Sequence, residues 1–580
     1  MMERARWEKR AQSMARECIR SSDSKGPEFM DEHVSKNDPQ QWIHIGILLG
    51  VCLVIYFSNL GQWDLWAPDE PRYAQVAREM VQGGDWFLMR FNGAIYPDKP
   101  PLFFWLIALS SFLWHGFTSF SVRLPSAVFG TLTVVLTFSF GRRLYSTRTG
   151  LLSGLILATS YQFAHLSVRA GMDTTLTFFT TAALFCFIHW HKSMKERREC
   201  LSIYGFYIGM ALGTLTKGPV GLLIPLLVGL VYLIHEKDWQ AIRRMRLLTG
   251  LFLFVGIGLA WYLPAVMKGG IGYLQVTLLR HTVDRYVTGW SHAAPFYFYC
   301  LALPLDFLPW SFFLPGAVAY GYSKEMTVKK KEFLFLLLWC VVIFVFFSLS
   351  EGKRHLYLLP LYPAAALLVG NLLDDFMHFP MEQFKRAWVS MPLYALAGLA
   401  LVGSAAVPAG VSLSFPAYLS YSVPVALALL AGGLAILILN RQKQWRTSLI
   451  ILIAMTTAGF LYDFRVASSL VNPDKSVRPI SEEAASRIQP GEKLAVFGLA
   501  PASYVFYTGV IPILVLKNEE QFASFLHTSE RVYCFVDAKD LAAMKHKENI
   551  PRFELIARYY VDGSDVLLIS TPVIHIEPGS

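Results

Sequence analysis

The sequence predicts an α-helical polytopic membrane protein that ends in a small extracytoplasmic α/β domain. Of the 580 residues, 54% are hydrophobic and only 16% are charged, and the mean hydropathy is +0.41, too apolar for a soluble multidomain chain. Apolar runs of about 20 residues, enough to cross a bilayer, recur between residues 42 and 466. Beyond residue 470 the runs shorten to strand length and polar residues fill the gaps between them.

Residues 1–41 are polar and mixed in charge, without the basic and then apolar order of a cleaved signal peptide. They are read as a cytoplasmic tail, and 42–60 as an uncleaved first span. The net charge of +10 does not point to nucleic acid, because Lys and Arg gather in short clusters between apolar runs. These are Arg4, Arg6, Lys9 and Arg10, then GRRLYSTR, HKSMKERR, HEKDWQAIRRMR, YSKEMTVKKK, FKR and RQKQWR. All belong on the cytoplasmic side.

That assignment fixes parity. The run 124–140 must return to the cytoplasm at GRRLYSTR, so the apolar run 101–114 cannot cross. Short, Pro-flanked and aromatic, it is expected to lie at the outer interface, which makes 61–123 one long outer loop. Further spans are expected at 151–164, 174–190, 203–216, 218–235, 247–267, 296–318, 333–349, 356–372, 391–409, 421–440 and 448–466, about thirteen in all. An odd count leaves 471–580 outside, and the transmembrane domain runs from 42 to 470. In 471–580, KLAVFGL, VIPILVL, RVYCFVD and DVLLIS read as strands with helices between them. The seven cysteines form no CxxC pair, so neither a disulfide framework nor a thiolate metal site is expected. No internal repeat is visible, and the inverted-repeat signature of transporters is missing.

Charge near a bilayer is costly and therefore informative. Outside, beside span ends, stand Asp69, Glu70, Arg72, Asp98, Lys99, Arg169, Asp173, Lys217, His281, Arg285, Lys353, Arg354 and His355. Each has a plain alternative. Asp69 before Pro71 suits a helix N-cap, Asp98 in DKPP a loop end before a double proline, and Lys217 in LTKGP a snorkelling lysine. Five loops converging on one face are what an anionic lipid headgroup needs: cations for phosphate and a carboxylate for acid/base work. His165, His189, His191 and His292 are read as loop or interface histidines, and Glu70 as a solvent-facing neighbour of Asp69.

In order along residues 45–370, PDEPRYA, GDWFLMRFNGAIYPDKPPLFFW, RAGMDTTLTFF, LTKGP, RHTVDRY, HAAPFYFY and EGKRHLYLLPLYP resemble the bacterial aminoarabinose lipid A transferase and protein O-mannosyltransferase superfamily. The resemblance implies the GT-C fold and an inner-membrane enzyme that moves a sugar from a polyprenyl phosphate carrier to an acceptor on the periplasmic face. It implies catalytic roles for Asp69 and Asp173. Donor or lipid-phosphate binding falls to Arg72, Lys99, Lys217, Arg285 and Tyr357. A divalent metal ion, an optional cofactor, would sit at Asp98 with His281. Asp98 stands where the aminoarabinose enzymes have Glu, one methylene longer, and EGKRHLYLLP carries an added Arg-His before Tyr357.

Attack at the anomeric carbon passes through an oxocarbenium-like state, and Asp69 either takes a proton from the acceptor or orients it. A hydroxyl acceptor needs a base, whereas a phosphate is already ionised. Lipid A or another envelope glycolipid is the expected acceptor, with secreted protein as the alternative. A monomer is expected, with membrane lipids and no nucleic acid as partners. A lipid-linked-sugar flippase would carry charges at mid-bilayer, and a scaffold would act through its C-terminal domain alone.

Overall fold

In the computed structural model, described over residues 39–196, 201–277, 293–323, 329–378, 383–528, 530–544 and 552–572, helices are interrupted by short breaks, and the breaks carry polar residues. The chain divides into two units, Met1–Gly46 and Ile47–Ser580. Of the first, residues 39–46 are described; they open helix α1 (Pro39–Cys52). The second unit holds the first long loop, the helices after it and the C-terminal sheet.

The first long loop begins with α2 (Glu70–Gly83), started by Pro71 in its first turn and ended by left-handed Gly84. Its buried face carries Tyr73, Ala74, Val76, Ala77 and Met80. A hairpin of β1 (Arg90–Phe91) and β2 (Ala94–Ile95) comes next. Asn92 and Gly93 turn it with φ of 57° and 79°, the pair of positive angles that a tight hairpin of this hand requires. Glu79 of α2 accepts from the Asn92 and Gly93 amides at 2.7 and 3.0 Å, fixing the hairpin and so the Asp98–Lys99 segment after it. Helix α3 (Leu102–Leu113) has 12 residues, about 18 Å at a rise of ~1.5 Å per residue, too short to cross a bilayer. Phe103, Phe104, Ile107 and Ala108 are buried while Leu109, Phe112 and Leu113 are exposed, the division of an interfacial helix.

The bundle continues through α4 (Ser119–Leu144), α5 (Thr147–Ala158), α6 (Tyr161–Ser167), α7 (Met172–Lys195), α8 (Ser202–Lys217), α9 (Val220–His235), α10 (Trp239–Arg244) and α11 (Leu247–Gln275). Then come α12 (Phe298–Asp306), α13 (Leu314–Gly321), α14 (Lys330–Leu349), α15 (Tyr362–His378), α16 (Gln383–Ser414), α17 (Leu419–Arg441) and α18 (Trp445–Tyr462). Among the described residues, eight helices are long and apolar enough to cross a membrane, or ten if each of two bent pairs counts as one span. The exact count of thirteen is therefore not confirmed. Helix α5 has 12 residues and α8 and α9 have 16 each, less than the roughly 20 that a straight span needs. The bent pairs are α6 with α7, at 113°, and α12 with the segment Trp310–Gly321, at 110°. Broken helices at membrane depth expose backbone groups that must line a polar cavity or be buried in protein, so these breaks mark where a site can be built.

Helices α4 and α7 give the bundle its polarity. Arg123 lies in the second turn of α4 and Arg142 and Arg143 in its last; Asp173 opens α7 and Lys192 and Lys195 close it. At the basic end Lys192 meets Glu332 at 2.7 Å, Lys331 meets Glu236 at 3.0 Å and Lys195 meets Asp238 at 3.4 Å. The basic clusters of several loops thus share one end, about a membrane thickness from Asp173.

After α19 (Ser468–Lys475) and α20 (Arg478–Arg487), the C-terminal region forms a five-stranded mixed sheet in the order β4-β3-β5-β7-β6. Its strands are β3 (Lys493–Phe497), β4 (Leu514–Leu516), β5 (Val532–Asp537), β6 (Glu554–Val561) and β7 (Ser564–Ser570). β3 pairs in parallel with β4 and β5, and β7 runs antiparallel to β5 and β6. Strands β3 and β5 are unbroken apolar runs because both faces are covered: Leu494, Val496, Tyr533 and Phe535 enter one core, Ala495, Phe497, Cys534 and Val536 the other. The helix between β3 and β4, α21 (Ala502–Thr508), reaches the first loop. Its Tyr507 hydroxyl accepts from Leu65 N at 2.7 Å, Arg78 donates to Phe506 O at 2.7 Å, and Asn92 exchanges two hydrogen bonds with the Ile513 backbone at 2.7 and 2.8 Å.

Candidate active site

Asp69 stands at the N-cap position of α2, yet its side chain makes no cap hydrogen bond. Arg72, one turn on, donates to Oδ1, and Arg354, on the segment before the 3₁₀ turn His355–Leu361, donates to Oδ2 at 3.1 Å. Burial pushes the Asp69 carboxyl up, but Arg354 and then Arg72 outweigh it and hold the group below the usual carboxylate value. Capping therefore does not explain this aspartate.

Asp173 is buried in the first turn of α7 and pairs with Lys217. Lys217 is the last residue of α8; Gly218 ends the helix at φ 80°, and Pro219 starts the next. The Lys217 ammonium also lies 4.8 Å from the centre of the Tyr357 ring, a cation–π contact. The two pairs adjoin: Arg354 feels the charge of both Asp69 and Asp173, and Tyr73 lies within reach of Asp69, Arg72, Tyr96 and Asp173.

The structure thus brings Asp69, Arg72, Asp173, Lys217 and Tyr357 together. Asp98 and Lys99 are half-buried on the segment joining β2 to α3. Arg285 and His281 lie outside the described residues. Two carboxylates face three cations, Arg72, Arg354 and Lys217, before Lys99 is counted. The buried Nε–H of Arg72 has no acceptor among the described residues. A site with surplus positive charge and an unused donor suits an anion such as a phosphate.

The expected metal position pairs Asp98 with His281, and His281 lies outside the described residues. Among the described residues no three His, Cys, Asp or Glu side chains come together to hold an ion, and Asp69 and Asp173 are already engaged by cations.

Glu70 corrects the expectation of a solvent-facing side chain. It is 5% exposed and receives Arg123 Nε and Nη2 at 2.7 and 2.8 Å, Trp66 N at 3.1 Å and Ala170 N at 2.9 Å. Arg123, fully buried, spends its other donors on the carbonyls of Leu60, Trp63 and Asp64. Burial works against ionising Glu70, and Arg123 with Arg169 overrides it, holding the carboxyl below its ordinary value. Glu70, the residue beside Asp69, is thus tied to α4 through Arg123 and to the segment that leads into Asp173 through Ala170. Its sequence signal is Arg123, a lone cation inside an apolar helix and far from any basic cluster, which requires a buried counter-ion. Of the histidines read as bystanders, His191 pairs with Asp238 at 3.0 Å at the basic end, and His165 with Asp463 at 3.2 Å. His355 Nδ1 lies 2.8 Å from Oδ2 of buried Asp306.

Residues 98–267 match the family model described as dolichyl-phosphate-mannose-protein mannosyltransferase. An uncharacterized protein of Aquifex aeolicus (strain VF5) is 31% identical over 324 residues, 56% of this chain and 62% of that one. The undecaprenyl phosphate-α-4-amino-4-deoxy-L-arabinose arabinosyl transferase of Pseudomonas aeruginosa (strain LESB58) is 32% identical over 410 residues, 69% of this chain and 70% of that one. In fold, the chain superposes on the crystal structure of ArnT from Cupriavidus metallidurans bound to undecaprenyl phosphate with a TM-score of 0.76, at 20% identity, over 93% of this chain and 99% of that one. With a buried cluster of charges at converging helix breaks and relatives of this coverage, the chain belongs to the undecaprenyl phosphate-α-4-amino-4-deoxy-L-arabinose arabinosyl transferase family of membrane glycosyltransferases.

Proposed function

We propose that the protein, as a monomer in the bacterial inner membrane, moves an aminoarabinose-like sugar from a polyprenyl phosphate carrier to a phosphate of lipid A. The site would face the periplasm with the C-terminal domain, and the N-terminus the cytoplasm. The family supports the donor class, and the gathering of basic loops at the far end of α7 supports the orientation.

The observation that carries the choice of acceptor is the double arginine clamp on Asp69. A carboxylate held below its usual value is a poor base. It suits an acceptor that arrives without a proton to lose. An ionised phosphate oxygen attacks the anomeric carbon, the bond from that carbon to the carrier phosphate breaks, and its electron pair stays on the carrier oxygen. Asp69 then stabilises the positive charge that grows on the sugar. Lys217, Lys99 and Arg285 take the charge growing on the leaving phosphate, each contribution of order 3 kcal/mol. Arg72 and Arg354 keep Asp69 ionised and aimed.

Mass spectrometry of lipid A and of envelope glycoproteins, from cells with and without the gene, tests the proposal. A sugar-sized mass gain on lipid A that depends on the gene and on Asp69 is expected. The same gain on secreted protein alone would select the hydroxyl acceptor instead.

A further inference from the structure

We infer that a second group of side chains beside Asp69, centred on Arg169, binds the phosphate of the acceptor; this rests on the phosphate-acceptor proposal. A displacement between two phosphates needs two anion-binding sites flanking one carbon. Lys217 and Lys99 can serve only the leaving one.

Arg169 is half-buried on the break between α6 and α7, four residues before Asp173. Its guanidinium stacks 5.2 Å from the Trp66 ring and lies within electrostatic reach of Glu70. Unlike Arg72, Arg123 and Arg354, it donates no hydrogen bond to any described residue. Five N–H groups in a planar fork, held by stacking and without an acceptor among the described residues, are the equipment for a phosphate.

The neighbours of Arg169 close a ring back to Asp69. The Tyr161 hydroxyl lies within reach of both Arg169 and Asp306, and the Tyr161 amide donates to Leu308 O at 3.0 Å, two residues beyond Asp306. Asp306 holds His355 by Nδ1 at 2.8 Å, so Nε2 of this half-exposed ring is the nitrogen left for a ligand. The residue before it, Arg354, holds Asp69. Through Arg354, Asp69 is thus linked on one side to Asp173 with its Lys217 and Tyr357 partners, and on the other, along the chain, to His355 of the Arg169 group. Tyr161 is 45% exposed, and its ring with Trp66 offers aromatic faces for the sugar that bears the phosphate. The ligand class is a phosphorylated glycolipid headgroup.

The test uses the full chain in detergent, with the lipid-linked sugar as donor and lipid A, with and without its phosphates, as acceptor. In Arg169→Ala the acceptor KM is expected to rise about tenfold or more, and binding of phosphorylated lipid A to weaken as much. The donor KM should stay within about twofold. Arg169→Lys, which keeps charge but not the fork, should fall between and serve should the alanine variant misfold, and His355→Gln should raise the acceptor KM in the same sense. An unchanged acceptor KM, or a donor KM that rises in step, overturns the subsite and leaves the lipid A proposal standing. A wild type that binds phosphorylated lipid A through Arg169 yet makes no product overturns the acceptor proposal alone. A wild type that binds neither form overturns both.

Discussion

Asp69 sits between opposed forces, burial and two guanidinium groups, and the balance can be read in a pH profile. Its value in the folded protein lies below the ordinary one. It is thus ionised, and stabilising, above the ordinary carboxylate range, and loses this only as pH falls through the lower folded value. Arg354 supplies the largest opposing charge. In Arg354→Ala burial therefore regains weight, and the acid limb of kcat/KM is expected to move to higher pH, with a drop in rate as Asp69 loses its aim. A limb left in place would show that Arg354 does not set the ionisation of Asp69. Lys217→Ala should cut kcat about a hundredfold or more, the loss typical of one donor to a developing oxyanion, and Lys217→Arg should recover part of it. Asp173 and Lys217 are legible in the sequence because each is a lone charge at a helix end, a place where apolar neighbours make charge expensive, and Asp69 because its charged cluster directly follows a long apolar run. Arg354 is visible as one of the outer charges and as half of an added Arg-His, but its partner lies 285 residues away, and no local pattern encodes that distance. Glu70 misleads for the same reason: its neighbours in sequence are charged and loop-like, while its partners come from α4 and the segment before α7.

Among the elements, the first loop has no bilayer-spanning helix of its own and depends on two anchors. One is Glu70–Arg123. Removing one partner of a buried, fully bonded ion pair costs about 3–5 kcal/mol, so Glu70→Gln should lower the melting temperature in detergent and abolish transfer. Asp69→Asn, at a half-exposed site, should abolish transfer while melting close to the wild type. Equal melting of both variants would contradict the anchoring role. The second anchor is the C-terminal sheet domain, to which no catalytic residue is assigned. Tyr507 and Asn92 carry its hold on the loop. Each hydrogen bond is worth about 1 kcal/mol, so Tyr507→Phe with Asn92→Ala should slow kcat several-fold with little change in donor KM. That α3 is too short to cross is legible because parity forbids the run to cross and its length agrees. The break between α6 and α7 falls between the expected spans 151–164 and 174–190, but those between α5 and α6 and after α12 are less legible: a hydropathy run does not register a bend, and 151–164 and 296–318 each read as one straight span.

For the molecule as a whole, a membrane glycosyltransferase has to bring a lipid-bound sugar and a lipid-bound acceptor to one carbon while keeping charge out of the hydrocarbon. Here that is met by ending several helices short of a full span on one side and gathering the polar ends there. The thirteen segments anticipated from hydropathy largely fall on helices, though several are shorter than a straight span, and Lys217 at the end of one of them lies in the site. The most direct measurement of the central claim is in vitro transfer by the purified protein to lipid A and to its dephosphorylated form, with the anomeric configuration of the product determined. Sugar on the phosphorylated form only, with inverted configuration, absent in Asp69→Asn, is the predicted result. Equal transfer to the dephosphorylated form, or retained configuration, would contradict it.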